Sequence, residues 1–219
     1  MNARHPLKAY FEDMYPSRSS FWGSLVFRHG EKERIRIIRR WLPSVRGLTV
    51  LDAGCGDGES LATALPDRPA QIRLEDLSAD ALHQAAARLA GSTDALVAEV
   101  VDVFDADSHD FDVVIAVGVL DYHADLPRAL HALLLRTRRV LIVDVPRMSH
   151  PRNWLRRVWF AFRDVDFQLA SFEQVRRVAA GCGHPFDIER GPYEWFLRIS
   201  VGGAPEGDQA GLQFGPRSA

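Results

Sequence analysis

The stretch TVLDAGCGDGES, residues 49–60, joins a short apolar run to an acid and then to three glycines that alternate with other residues. The apolar run is typical of a buried strand in a parallel sheet, and the glycines are typical of the turn after it. The carboxyl ends of such strands open onto a ligand crevice, and a glycine turn there exposes backbone at the start of the next helix. The stretch therefore predicts a ligand site where the first strand ends.

Outward from this turn, apolar runs alternate with amphipathic segments, which is the order of βαβ units and predicts an α/β fold. The segment 185–201, PFDIERGPYEWFLRISV, predicts two further strands joined by a turn at Gly191 and Pro192. The alternation itself predicts strands at 48–54, 71–77, 94–102, 111–118 and 139–146, and helices that begin near 58, 78, 125 and 171.

Three segments are expected along the chain. Residues 1–44 form an N-terminal segment that includes a helix, because EKERIRIIRRWLP, residues 31–43, puts apolar residues on one helical face and ends at a proline. Residues 45–201 carry the sheet, and residues 202–219 form a flexible Gly/Pro-rich tail. The residues on that helical face are Ile35, Ile38, Trp41 and Leu42.

Composition limits the class of protein. The 219 residues are 47% hydrophobic, which suits one globular domain, and a net charge of -2 gives no electrostatic footprint for nucleic acid. Cys55 and Cys182 form neither a disulfide framework nor a metal-binding CxxC pair. No signal peptide and no apolar run of about 18 residues is recognisable. We therefore expect a cytoplasmic protein without stable membrane insertion.

The glycine turn, Asp52-Ala53-Gly54-Cys55-Gly56-Asp57-Gly58, resembles motif I of the class I S-adenosylmethionine-dependent methyltransferases, (D/E)xGxGxG, rather than the GxGxxG of dinucleotide-binding turns. LEDLSADAL, VVDVF and FDVVIAVGVLDYH follow in the order of later motifs of that family. The resemblance implies a Rossmann-like doubly wound sheet of seven strands, mostly parallel with the last antiparallel, and the cofactor S-adenosyl-L-methionine. The cofactor-binding residues it implies are Asp52, Gly54, Cys55, Gly56, Asp76, Leu77, Asp102, Val103 and Val117.

The resemblance also implies roles for the acids. Asp76 would accept hydrogen bonds from both ribose hydroxyls, and Asp102 would lie near the adenine amino group. Asp52 would act on the methionine ammonium through water or the glycine backbone, or alternatively would only cap nearby amides. Glu75 precedes Asp76, and strand alternation lets only one of the two face the ribose.

The loop DYH after the fourth predicted strand supplies the candidate catalytic residues. His123 is the candidate general base, with Tyr122 and His29 as positioning residues; alternatively His123 is only a surface or helix-capping histidine. In relatives of this architecture the N-terminal segment folds over the cofactor as a helical lid. Candidate substrate-binding residues in that segment are Tyr15, Trp22 and Arg28.

The segment 152–163 after the fifth strand allows three interpretations. As a helix it places Trp154, Leu155, Val158, Trp159 and Phe162 in one stripe, with arginines elsewhere. In the first interpretation the stripe is buried on the sheet. In the second it forms the roof of an apolar or aromatic substrate pocket, with Trp154 and Trp159 as substrate-binding residues. In the third the helix lies on a membrane surface, to which it binds only marginally.

The residues after the fourth and fifth predicted strands argue against two classes of methyltransferase. Catechol-type methyltransferases hold magnesium with acids after the fourth and fifth strands; Asp144 fits the second position, but Val117 occupies the first, so we expect no metal. The (D/N)PP(Y/F/W) element of DNA adenine methyltransferases is replaced by VGVLD, so a nucleic-acid substrate is not expected.

The function expected is methyl transfer to an oxygen or nitrogen of a small apolar or aromatic molecule, in secondary metabolism. The alternatives are a carbon or lipid-like acceptor, a non-catalytic cofactor-binding partner protein, and a nicotinamide oxidoreductase. The oligomeric state is left open.

Overall fold

A computed structural model describes residues 31–104, 110–163 and 165–202. Seven strands form one sheet in the order β3-β2-β1-β4-β5-β7-β6. Strands β1 to β5 pair in parallel, whereas β7 is antiparallel to both of its neighbours, β5 and β6. The predicted fold class and the antiparallel last strand are confirmed. The strands are β1 Thr49–Ala53, β2 Gln71–Asp76, β3 Ala95–Val100, β4 Phe111–Ala116, β5 Thr137–Pro146, β6 Phe186–Arg190 and β7 Glu194–Ser200.

Three of the helices begin directly after a residue whose side chain caps the helix N-terminus. Ser78 and Asp125 each accept a hydrogen bond from the backbone of the first turn, and Ser171 forms a reciprocal capping box with Gln174. These caps agree with the predicted helix starts. The helices are α1 Glu31–Trp41, α2 Glu59–Ala64, α3 Ala79–Leu89, α4 Leu126–Leu134, α5 Pro151–Ala161 and α6 Phe172–Gly181, and a 3-10 turn covers Leu120–Tyr122.

Two apolar layers cover the two faces of the sheet. Helix α1 belongs to one layer, because Ile37 and Ile38 are buried against strand residues such as Val50 and Ile72. Burial of such side chains contributes about 1.5–3 kcal/mol each. Of the N-terminal segment predicted at 1–44, residues 31–44 therefore pack on the sheet, while residues 1–30 lie outside the described residues, as does the tail beyond 202.

Helix α5 presents its apolar stripe to solvent, so the interpretation of a stripe buried on the sheet is wrong. The inward residues are Asn153, whose Nδ2 donates to the carbonyls of Arg147 and Tyr193, and Phe160, which stacks on Phe167. These contacts set the rotation of the helix. The outward residues are Trp154, Leu155, Val158, Trp159 and Phe162.

Among the described residues, no helix combines the length and the apolar character needed to cross a bilayer.

Candidate active site

The glycine turn after β1 is held by the main chain of β2. The amides of Gly54 and Cys55 both donate to the Glu75 carbonyl, at 2.7 and 3.0 Å. Gly54 has a φ of +70°, and a Cβ there would lie 2.3 Å from Cγ2 of Val119. At Gly58 a Cβ would lie 2.9 Å from the Ala85 backbone, so this glycine permits close packing of α2 on α3. Gly54 is thus required by the turn itself, and Gly58 by the packing of the helix that follows it.

The two acids at the end of β2 point to different surroundings. Asp76 lines a cleft, where its Oδ2 accepts from the Gly56 amide at 2.8 Å and its Oδ1 from the Ser78 amide at 2.9 Å. A carboxylate oxygen can accept more than one hydrogen bond. Glu75 is fully buried and forms a bidentate pair with Arg136, at 2.6 and 2.7 Å. Only Asp76 is therefore available to a ligand in the cleft.

The cleft encloses about 490 Å³ of space, including its open mouth. It brings together five of the predicted cofactor-binding residues and the two predicted catalytic residues that the structure describes. Its lining residues are Gly54, Asp76, Leu77, Asp102, Val103, Phe104, Gly118, Val119, Tyr122 and His123.

Cys55 and Val117 do not line this cleft with their side chains. Both pack with the apolar layer on the α1 side of the sheet, and burial raises the pKa of the Cys55 thiol, which keeps it protonated. Phe104, Gly118 and Val119 line the cleft but were not predicted. Each is within two residues of a predicted one, so the correct loops were identified and the residues within them were not.

Asp52 is buried beneath the turn, and no described residue donates a hydrogen bond to its carboxyl group. Burial, together with the nearby Asp76 and Asp57 carboxylates, raises the pKa of Asp52 to about 7. The alternative that Asp52 only caps nearby amides therefore has no support in the described residues. A cationic group bound beside the turn would stabilise the ionised carboxylate, so the site fits the ammonium and sulfonium of S-adenosyl-L-methionine.

Two further side chains with rings, Tyr122 and His123, line the cleft. The His123 ring lies against Phe104, with ring centroids 3.6 Å apart. The Tyr122 ring meets Phe160 and Phe167 edge-on, at 5.6 and 6.1 Å. The 3-10 turn that ends at Tyr122 therefore presents both residues to the cleft from one loop.

A buried charged cluster, not predicted from the sequence, lies beside this loop. Asp144 accepts from the amide of the cleft residue Gly118 at 2.6 Å, and Arg34 of α1 lies 3.5 Å from Asp144 and 2.9 Å from Glu194. Arg156 of α5 lies 3.6 Å from Asp121. The cluster therefore ties α1 and α5 to the loops that border the cleft.

Burial raises the pKa values of both aspartates of the cluster, that of Asp144 to about 7 and that of Asp121 to about 6, although arginines oppose the shift. Within the described ranges, no group of three or more His, Cys, Asp or Glu side chains is arranged to hold a metal ion. Asp144, which the sequence suggested for a magnesium position, is instead engaged with Arg34 and the Gly118 amide.

The remaining predicted residues belong to two segments, the N-terminal residues and α5. Tyr15, Trp22, Arg28 and His29 lie outside the described residues. Trp154 and Trp159 are 46% and 41% exposed on the outer face of α5, and neither is among the described residues that line the cleft. The interpretation of the stripe as a pocket roof therefore has no support in the described structure.

Several methyltransferases of known structure have a fold similar to that of this chain. Magnesium protoporphyrin IX methyltransferase from Synechocystis PCC 6803, with bound S-adenosylhomocysteine, superposes with a TM-score of 0.70 at 20% identity, over 90% of this chain and 98% of that one. The 1,6-didemethyltoxoflavin-N1-methyltransferase of Burkholderia thailandensis gives 0.67 at 17% identity, over 90% and 87%. A possible histamine N-methyltransferase from Thermotoga maritima gives 0.63 at 12%, over 90% and 98%. At these identities the likeness concerns the fold alone.

No curated protein sequence matches the chain significantly. Residues 51–141 match the family model described as a methyltransferase domain. This range begins in β1, contains the glycine turn, Asp76 and the loop of Tyr122 and His123, and ends in β5. Residues 51–141 therefore form a methyltransferase domain, and the chain is an enzyme with S-adenosyl-L-methionine as its cofactor.

Proposed function

We propose that this enzyme methylates an oxygen or nitrogen atom of a small apolar or aromatic molecule, in cytoplasmic secondary metabolism. The observation that carries the proposal is the cleft, which is lined by Asp76 and Asp102 together with Tyr122 and His123. Two of the similar structures are named as methyltransferases of protoporphyrin and of didemethyltoxoflavin, which are small molecules. The net charge of -2 supports a small acceptor over a nucleic acid.

The cofactor would lie with its ribose hydroxyls on the Asp76 carboxylate, which lines the cleft. Leu77 and Val103 would pack on the adenine ring, with Asp102 near its amino group. The methionine ammonium would lie at the turn of Gly54 and Gly56, above Asp52, while Cys55 and Val117 would contribute through their main chain. When bound, the cofactor supplies an electrophilic methyl group on a sulfonium centre.

Asp76→Ala is expected to weaken S-adenosylmethionine binding by about 1.5–3 kcal/mol, because charge-assisted hydrogen bonds to the ribose hydroxyls are lost. Calorimetric titration measures the change. Asp76→Asn, which keeps an acceptor for one of the two turn amides, should lose less. The matched control is Asp80→Asn, since Asp80 is exposed in the first turn of α3. Wild-type affinity in a folded Asp76→Ala would contradict the ribose role.

The acceptor would approach from the end of the cleft formed by Tyr122 and His123. Methyl transfer is an in-line displacement, so correct alignment supplies much of the rate. An acceptor that keeps a proton at neutral pH also needs a base, and His123 faces the cleft from a ring position fixed by Phe104. Tyr122 would orient the acceptor, and the N-terminal residues Tyr15, Trp22, Arg28 and His29 remain proposed contacts in a lid. Trp154 and Trp159 lie on the outer face of α5 and are not among the described residues that line the cleft.

His123→Gln is expected to lower kcat about 100-fold with a protic acceptor, because the proton then has no base in reach. The acidic limb of the kcat profile against pH should disappear as well. His131→Gln, a change at an exposed histidine of α4, is the control. If kcat of His123→Gln equals the wild-type value and the acidic limb persists, His123 is not the base.

The function itself is tested by turnover. Purified enzyme is incubated with methyl-labelled S-adenosylmethionine and a panel of phenols, hydroxylated and N-heteroaromatic compounds, and label in a product supports the proposal. Binding of the cofactor without turnover of any acceptor would favour a non-catalytic partner protein. Tighter binding of NAD than of S-adenosylmethionine would favour an oxidoreductase. A lipid-like acceptor is the second candidate, favoured by the exposed apolar face of α5.

A further inference from the structure

Helix α5 carries a continuous apolar face on the outside of the protein. Its five residues recur at helical spacing, so they lie side by side over nearly three turns. A contiguous exposed patch of this kind marks an interaction site, unlike single exposed apolar residues. The α5 face consists of Trp154, Leu155, Val158, Trp159 and Phe162, which are 46, 72, 54, 41 and 84% exposed.

Arginines lie beside the α5 face. The stretch 147–163 contains five arginines and neither Asp nor Glu, although the whole chain has a net charge of -2. Arg147 is buried and Arg156 is paired with Asp121, so these two do not contribute to the surface charge. Arg157 and Arg163 are exposed, and their guanidinium groups lie over the rings of Trp154 and Trp159, at 5.5 and 3.6 Å. Acids return in the sequence only at Asp164 and Asp166. The apolar face therefore has a positively charged border.

The core contacts of α5 come from the side opposite the α5 face, while Trp154 of that face donates through its Nε1 to the Met148 carbonyl at 2.7 Å. The helix is attached through its other side, by Asn153 to the carbonyls of Arg147 and Tyr193 and by Phe160 to Phe167. Substitutions at Leu155 and Phe162 therefore change the face without emptying the core.

We propose that the α5 face binds anionic lipid membranes, with the helix lying in the plane of the interface. The apolar side chains would enter the boundary between headgroups and acyl chains, and the arginines would reach the lipid phosphates. Tryptophan rings paired with guanidinium groups suit this boundary, since one part is apolar and the other is charged. Eleven residues give weak binding, so the association is reversible.

The position of α5 relates this surface to the active site. Phe160, on the inner side of the helix, contacts the ring of Tyr122, which lines the cleft. A membrane bound at the α5 face would therefore lie near the acceptor end of the cleft, and an acceptor dissolved in the lipid would have a short path to it. The binding itself does not depend on methyltransferase activity.

The test is co-sedimentation of the full chain with phosphatidylcholine vesicles, with and without about 30 mol% phosphatidylserine. Binding to the anionic vesicles should exceed binding to the neutral ones about 10-fold and should fall at high salt. The double variant Arg157→Glu/Arg163→Glu and the double variant Leu155→Ser/Phe162→Ser should each lose 10-fold or more. The matched controls are Leu135→Ser, at a leucine 64% exposed after α4, and Arg128→Glu, at an exposed arginine of α4.

Equal binding to both kinds of vesicle, no binding at all, or full binding by the Leu155→Ser/Phe162→Ser variant would overturn the proposal. A concentration-dependent dimer in sedimentation velocity that the same variant abolishes would assign the face to a second copy of the chain instead. Inactivity towards the acceptor panel would not change the vesicle result. Failure of the proposed function can therefore be distinguished from failure of the membrane-binding proposal.

Discussion

Asp52→Asn is expected to stabilise the protein against unfolding at pH 8, by an amount of the order of 4 kcal/mol at most, and to weaken S-adenosylmethionine binding. Burial raises the pKa of Asp52 from 3.8 to about 7, with the Asp76 and Asp57 carboxylates as further causes. Each pKa unit corresponds to about 1.4 kcal/mol of free energy against the ionised form. The amide has a similar shape and no charge, so the variant avoids this cost.

The sign of the pH dependence follows from proton binding. Between about pH 4 and pH 7 the folded protein holds a proton on Asp52 that the unfolded chain has lost, so stability falls as the pH rises through this window. The advantage of Asp52→Asn should therefore be small near pH 4 and complete above pH 7. Asp121 and Asp144 have raised pKa values and add slopes of the same sign, but the variant retains both. The difference between wild type and variant thus isolates Asp52.

Urea unfolding at pH 5 and pH 8 measures the stability difference, and calorimetry at the same pH values measures cofactor affinity. A cationic ligand favours the ionised carboxylate, so wild-type affinity should rise between pH 6 and pH 8 with release of a proton. The variant should lose most of this rise, whereas Asp80→Asn should behave as wild type. Equal stability of Asp52→Asn and wild type at pH 8, or an unchanged pH dependence of binding, would contradict this account of the turn.

The sheet could be predicted because each signal is local. The interior parallel strands are covered on both faces, so β1, β4 and β5 appear in the sequence as nearly continuous apolar runs. The helix starts could also be predicted, because capping by Ser78, Asp125 and Ser171 involves residues only three positions away. The glycine turn also carries its own signal in its spacing.

The orientation of α5 could not be predicted, because amphipathic spacing identifies two faces without saying which one meets the core. That choice is made by Asn153, whose side chain donates to the carbonyl of Tyr193, 40 residues away. The cluster of Asp121, Asp144 and Glu194 with Arg34 was missed for the same reason, since its members come from distant segments. Partners that are remote in sequence leave no local pattern.

The roles of Glu75 and Asp76 could be predicted only in part. Strand alternation required that only one of them face the cleft, but the choice depends on the register of β2 and on a partner far along the chain. That partner is Arg136, directly before β5, which takes Glu75 to the opposite side of the strand. The Glu75 carbonyl meanwhile accepts from Gly54 and Cys55, so the same residue supports the turn through its main chain.

Glu75→Ala is therefore expected to destabilise the protein by about 3–5 kcal/mol, because it leaves the Arg136 guanidinium buried without its main counter-charge. Arg136 is only 4% exposed, and its other described polar contact is the Val103 carbonyl at 3.3 Å. Urea unfolding measures the loss. Glu173→Ala, which breaks an exposed pair with Arg176 on α6, is the control and should cost less than about 1 kcal/mol.

The double variant Glu75→Leu/Arg136→Met separates the cost of an unpaired charge from the value of the pair. Removal of both charges with retention of apolar volume should restore most of the stability, since desolvation offsets much of the attraction in a buried pair. Arg73, which also donates to Glu75, keeps its ion pair with Glu99 in this variant. Cofactor affinity in the double variant should stay near wild type, because the Glu75 carbonyl and Asp76 are both retained. If the double variant is as unstable as Glu75→Ala, the pair itself stabilises the fold; if it folds but does not bind cofactor, the Glu75 side chain serves the cleft after all.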